Sequence, residues 1–180
     1  YKSSLLGFHT HNVTSIAVID EKTAVSVSIT DGSGDSIKIW DVDSRKEIKT
    51  LTCPMSHKVI CVAVINPNTI VTGGSVGTVK NWDAISGEEI TSLTGHTDEV
   101  TCVIVINPTT IVSGSRDHSL KVWDLIRRKE IMTLTGHSDD VHCVAKIDPN
   151  TIVSGSLDKL LKIWDLNSEE VIQTLTGHSE

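Results

Sequence analysis

The chain has 180 residues, of which 38% are hydrophobic and 22% charged, with a mean hydropathy of zero. No stretch reaches the roughly 18 uninterrupted apolar residues of a membrane helix, and the opening YKSSLLGFHTHN lacks the apolar core of a signal peptide. A net charge of −7 opposes the counterion release that drives nucleic-acid binding, and the basic runs Arg127-Arg128-Lys129 and Arg45-Lys46 each fall in a turn. A soluble protein with no membrane and no nucleic-acid partner is expected. Because the sequence starts at Tyr1 and not at Met, it reads as a piece of something longer.

Along the chain the four tryptophans, Trp40, Trp82, Trp123 and Trp164, fall 42, 41 and 41 residues apart, in KIWD, KNWD, KVWD and KIWD. A fixed period of about 40 residues marks a repeated structural module. Cys61, Cys102 and Cys143 keep the same step, each inside an apolar run such as VTCVIVI. Equivalent positions on successive modules do not face each other as a disulfide pair must, and no C-x-x-C zinc pattern is present. Buried, reduced thiols are therefore expected, as in a cytosolic or nuclear protein. Cys53, outside the ladder, falls in a loop where exposure is expected.

The third module shows the internal pattern best. Val100 to Ile106 is a run of mostly β-branched residues, followed by the turn Asn107-Pro108-Thr109-Thr110, in which Pro presets φ. Ile111 to Ser115 forms a second strand, Arg116-Asp117-His118 a tight polar connection, and Leu120 to Trp123 a third strand with Lys121 alternating with apolar neighbours. After the polar LIRRKE turn, Ile131 to Thr135 makes a fourth. Four short strands per 41 residues, with turn signals every 8 to 12, predict an all-β chain built as a radially repeated antiparallel sheet.

TGHTDEV at 94 to 100, TGHSDDV at 135 to 141, SGSRDHSLKVWD at 113 to 124 and SGSLDKLLKIWD at 154 to 165 together resemble the Gly-His and Trp-Asp signatures of the WD40 repeat β-propeller family. The resemblance extends over the whole chain. It implies four four-stranded blades with repeats at approximately 1–41, 42–83, 84–124 and 125–165, then an outer strand within 166–180. Each sequence repeat begins with the outer strand of the preceding blade, so Ser3 to Leu6 and Ile172 to Thr176 are expected as outer strands. It also implies structural tetrads: His96, Ser113, Asp117 and Trp123 in repeat three, and His137, Ser154, Asp158 and Trp164 in repeat four. A buried polar group left unsatisfied costs on the order of 1 to 3 kcal/mol, so these four side chains must serve one another. Repeat one keeps His9 and Ser26 and offers Asp31 or Asp35 for the carboxylate. Repeat two has Thr72, but Val76 stands where Asp belongs, Cys53-Pro54-Met55 replaces Gly-His, and His57 is out of register. Repeat two is therefore expected to be the weakest.

Ser, His and Asp also compose a hydrolase triad, but the same trio at identical spacing in two modules, with a Trp taking the Ser oxygen, reads as architecture. No catalytic residue, no cofactor and no metal site is expected, since repeat histidines on separate blades cannot converge on one ion at about 2 Å. Function is expected on the loops. The resemblance places a partner-binding face at Asn12, Thr14, Lys58, Ile60, Glu99, Thr101, Asp140 and His142, joined by the turn residues Ser75, Arg116 and Leu157. Its mixture of acid, base and apolar groups suits a protein or peptide and lacks the converging Arg of a phosphate clamp. A non-catalytic scaffold is the leading expectation. The alternative is a regulatory or targeting propeller within a larger enzyme or a ubiquitin-ligase-type assembly. Four blades make a partial propeller, completed by blades elsewhere or by a second copy closing an eight-bladed ring.

Overall fold

The computed structural model describes residues 9, 11–29, 36–53 and 58–177. Ser3 to Leu6, Asp31, Asp35, His57 and His178 lie outside them. The described residues form sixteen strands in four antiparallel four-stranded sheets, each a simple meander, and contain no helix. The first blade comprises β1 (Val13–Val18), β2 (Thr23–Ser28), β3 (Ser36–Asp41) and β4 (Lys46–Thr52). The second comprises β5 (Val59–Asn66), β6 (Thr69–Gly74), β7 (Thr78–Asp83) and β8 (Glu89–Thr94). The third comprises β9 (Val100–Asn107), β10 (Thr110–Ser115), β11 (Ser119–Asp124) and β12 (Lys129–Thr135). The fourth comprises β13 (Val141–Asp148), β14 (Thr151–Ser156), β15 (Leu161–Asp165) and β16 (Glu170–Leu175).

Side chains in the connections fix the turns. Between first and second strands, Asn66, Asn107 and Asp148 accept from the backbone N–H two residues on, at 2.9, 2.9 and 2.8 Å, an Asx turn around each Pro. Between third and fourth strands the Asp of each Trp-Asp pair does the same. Asp124 accepts from the N–H groups of Ile126 and Arg127 at 2.9 and 2.8 Å, and Asp83 from those of Ile85 and Ser86, both at 2.8 Å. These backbone donors hold the Asp83 and Asp124 carboxyls below the usual carboxylate range. The Asp following each tryptophan is thus a turn former.

The first strands of successive blades pack on one another, β1 on β5, β5 on β9 and β9 on β13. Three apolar clusters fill the junctions. The first joins Val27, Ile37 and Leu51 to Val59, Ile70 and Trp82. The second joins Val79 and Leu93 to Val100, Ile111 and Trp123, and the third joins Leu120 and Leu134 to Val141, Ile152 and Trp164. Among the described residues the result is an arc of blades with an uncovered face at each end. There the apolar side chains meet solvent, with Ile16 73% and Val18 71% exposed on β1 and β13 and β16 largely exposed.

Two cysteine expectations need correction. Cys143 is exposed and Cys102 only partly buried, while Cys53 is buried among the first-junction side chains. Cys61 is buried because the next blade covers it, its Sγ lying 3.6 Å from the Val100 carbonyl. On the fourth blade nothing among the described residues covers the equivalent Cys143. No disulfide joins Cys53, Cys61, Cys102 and Cys143, and burial pushes the Cys102 thiol up to about 12.

Asn81 stands on β7 opposite Val71, where the other blades carry Ile39, Val122 or Ile163. It is 7% exposed and its Oδ1 has no hydrogen-bond partner. Asn81→Val restores an apolar side chain and removes that orphan acceptor. It is expected to stabilise the protein by about 1 to 3 kcal/mol, the cost of an unsatisfied buried polar group, read as a raised urea midpoint.

Candidate functional site

Within the third blade the four tetrad side chains converge. The Trp123 indole Nε1–H donates to Ser113 Oγ at 2.8 Å, and Ser113 Oγ lies 2.8 Å from His96 Nε2. His96 Nδ1 lies 2.7 Å from Asp117 Oδ2. The carboxylate only accepts, so Nδ1 carries the proton and the Ser hydroxyl donates to Nε2. The fourth blade repeats the chain, with Trp164 to Ser154 at 2.8 Å, Ser154 to His137 at 2.7 Å and His137 to Asp158 at 2.7 Å. Gly95 brings its backbone against the tryptophan, where a Cβ would stand 2.9 Å from the Trp123 ring. A side chain there displaces the ring, which accounts for Gly before His.

In the first blade His9 lies 2.6 Å from Ser26 Oγ, which also accepts from Trp40 at 2.7 Å. In the second, Trp82 donates to Thr72 at 2.9 Å. The sequence reading missed further members. Ser119 donates to Asp117 at 2.6 Å, and Ser115 donates to the Asp98 carbonyl at 3.1 Å while accepting from the Asp117 N–H at 3.1 Å. Ser156 duplicates Ser115 beside Asp158. The recurrence of Ser-Gly-Ser at 113 to 115 and 154 to 156 carried that signal; Ser119, replaced by Leu160 in the fourth blade, had none.

Ser113 and Ser154 are 0% and 1% exposed. Each hydroxyl oxygen is held between an indole and an imidazole, leaving no path for a substrate carbonyl. Ser113→Ala is expected to cost about 1 to 3 kcal/mol in urea unfolding by stranding the Trp123 N–H and His96 Nε2. A covalent serine-directed probe is expected to label neither residue.

Burial holds the His96 imidazole below its ordinary pKa, against the pull of Asp117. Burial pushes Asp117 up, but hydrogen bonds from Ser119, the facing His96 and the Thr97 N–H outweigh it and bring the carboxyl below its usual range. As pH falls below about 6.5 the unfolded chain takes up a proton that folded His96 resists. That contribution is full above about 6.5 and drains as pH drops toward the folded-state value. The depressed Asp117 adds to it at lower pH, full above about 3.9 and lost as pH falls through its folded pKa. The Tm is therefore expected to decline between pH 7.5 and 5, with part of the slope absent in His96→Asn.

The candidate partner face lies at one rim. The N–H groups of Ser75, Arg116 and Leu157 donate to the carbonyls of Lys58, Glu99 and Asp140 at 2.8, 2.9 and 2.9 Å, so these positions come together in pairs, blade by blade. Asn12 has the matching place in the first blade, its carbonyl accepting from Ile29 N–H at 3.4 Å. Thr14, Ile60, Thr101 and His142 follow as the second residues of β1, β5, β9 and β13. Several already have partners. Thr101 Oγ1 donates to the Gly114 carbonyl at 3.1 Å and also to that of Val141, and Arg116 pairs with Glu99 at 2.8 Å and reaches Asp140 of the next blade at 3.5 Å. Leu157, His142, Lys58, Asn12 and Thr14 are exposed. One potential metal-ligating group appears among the described residues, His118, Asp139 and Asp140, with ligand atoms within 4.8 Å of one another. The Arg116 guanidinium beside Asp140 makes it part of an ion-pair network.

Blades of four antiparallel strands, stacked side by side and stapled internally by Trp, Ser, His and Asp, define a β-propeller. The WD domain, G-beta repeat family matches residues 87–124 and 128–165. The solved structure titled "Crystal structure of RRP9 WD40 repeats" is similar at a TM-score of 0.86 and 25% identity, over 97% of this chain and 54% of that one. The matched modules are WD40 repeats, and the four blades together are part of a WD40 propeller fold. The chain thus spans about half the length of the solved chain it resembles. Among curated proteins none matches.

Proposed function

We propose that the chain is a non-catalytic scaffold that binds a protein or peptide on the rim carrying Arg116, His142 and Leu157. The observation that carries this reading is the division of polar groups. The tetrad groups inside the blades are consumed in staples, whereas the rim presents exposed apolar, basic and acidic side chains together. WD40 propellers generally serve as protein-interaction scaffolds. Leu157, 55% exposed beside Arg116 and His142, supplies an apolar contact ringed by charge, the anatomy of a small interface. We propose a cytoplasmic or nuclear setting, supported by cysteines that are not joined in disulfides. Action as a targeting propeller of a larger assembly uses the same rim.

A photo-crosslinking residue at position 157, expressed in cells, tests this. Discrete adducts are expected there and not at position 126, on the opposite rim, where Ile126 is more exposed still, at 75%. Equal crosslinking at both positions overturns the assignment.

A further inference from the structure

The junction between the first and second blades departs from its sisters at two positions, and both departures fall in one cleft. The residue after each Trp-Asp pair holds the same place in every blade, because its N–H donates to a carbonyl in the turn between first and second strands. Ala84 donates to Asn68 at 2.9 Å, Leu125 to Thr109 at 2.9 Å and Leu166 to Asn150 at 2.8 Å. Leu125 packs against the apolar cluster of the second junction and Leu166 against that of the third. At the first junction alanine stands in that place, and a cleft of about 400 Å³ lies open beside it.

Both walls of the cleft lie within the chain. Ile19, Ile39 and Ile48 line it from the first blade, and Pro67, Ala84 and Ile85 from the second. The second departure is Lys49, which pairs with Ile39 where the next blades pair Thr91 with Asn81 and Met132 with Val122. Its Nζ donates to the Ile85 carbonyl across the junction. Gly87 of the same turn packs on its stem, where a Cβ would stand 3.2 Å from Lys49 Cε. This tie fixes the mouth of the cleft before anything enters it, so little ordering is needed on binding. The charged groups of the lining already have partners, Lys49 on that carbonyl and Asp20 on the Lys22 N–H at 2.8 Å, which leaves an apolar interior. Ile48 and Ile85 stand at the mouth, 57% and 66% exposed.

We infer that this cleft is a second docking site, on the rim opposite Arg116 and Leu157, for a peptide segment of a protein partner that inserts an uncharged, branched aliphatic side chain. The sister junctions name the occupant, since they fill the same place with Leu125 and Leu166 from their own chain. The volume lies within the range of ligand clefts, and the few polar groups around an apolar interior have the usual anatomy of one. A free small molecule in the socket leaves Ile48 and Ile85 in water, whereas the residues that flank a leucine in a peptide cover them.

Random peptides displayed on phage and selected against the chain are expected to share one leucine or isoleucine whose replacement by alanine weakens binding by about tenfold or more. Ala84→Leu puts the chain's own side chain into the socket. It is expected to unfold at a higher urea midpoint and to bind those peptides more weakly by about tenfold or more. Ile48→Ser, at the exposed mouth, is expected to weaken them by a smaller factor and leave the midpoint in place. Leu157→Glu with Arg116→Glu is expected to leave their binding unchanged, which separates this site from the rim proposed above. Selected peptides that bind Ala84→Leu as tightly as the unaltered chain overturn the proposal, as does a selection that returns none sensitive to that substitution. So does an Ala84→Leu chain that unfolds at lower urea, since the space is then not shaped for leucine.

Discussion

Trp123→Ala is expected to lower stability by about 3 to 5 kcal/mol, enough to unfold much of a marginally stable chain. Trp123 is 0% exposed and belongs to the junction between second and third blades, packed with Val79, Leu93 and Val100. Its removal opens a cavity at that junction and takes away the indole N–H that Ser113 Oγ accepts from, so a packing loss and a hydrogen-bond loss fall on one residue. Trp40 makes the same bond to Ser26 but lies on the uncovered first-blade face, only half-buried. Trp40→Ala is expected to cost distinctly less, and urea unfolding of the two variants side by side measures the difference.

Gly114→Val is expected to cost about 3 kcal/mol, the upper end for methylenes forced into a packed core. A Cβ at that position already stands 2.7 Å from Cys102 Sγ and 2.7 Å from Val141 Cγ1. Val141 is fully buried and belongs to another blade, so relief requires the third and fourth blades to separate. The loss is expected as a lower urea midpoint together with a reduced m-value, if the fourth blade detaches before the rest. Gly114→Ala gives the smaller loss of a single methyl.

The strands and turns were legible because their determinants are local. β9 to β12 begin and end within a few residues of the apolar runs and Asn-Pro turn that forecast them, and the observed β12 starts earlier only because Lys129 and Glu130 pair with Asp124 and Trp123. Tetrad members were legible because two repeats carry them at identical spacing. What stayed hidden depends on neighbours in space. Repetition suggested equal burial for Cys61, Cys102 and Cys143, yet burial of each requires a following blade, and the fourth has none among the described residues. Cys53 looked like a loop thiol and instead packs against the first junction. The second blade, short of staples, is held by packing as well. Trp82 and Thr72 are 3% and 0% exposed because that blade packs on both faces. On the rim, the spacing located Arg116, Glu99 and Asp140 but not that the arginine bridges the other two across blades.

Blade-internal polar sets hold the fold, and rim side chains bind. The affinity of a partner crosslinked at position 157 tests both halves of that statement together. A staple variant, Ser154→Ala, is expected to unfold at lower urea yet keep that affinity, while Leu157→Glu with Arg116→Glu is expected to keep stability within about 0.5 kcal/mol and lose binding at least tenfold. Binding lost in folded Ser154→Ala and kept in the rim variant contradicts it.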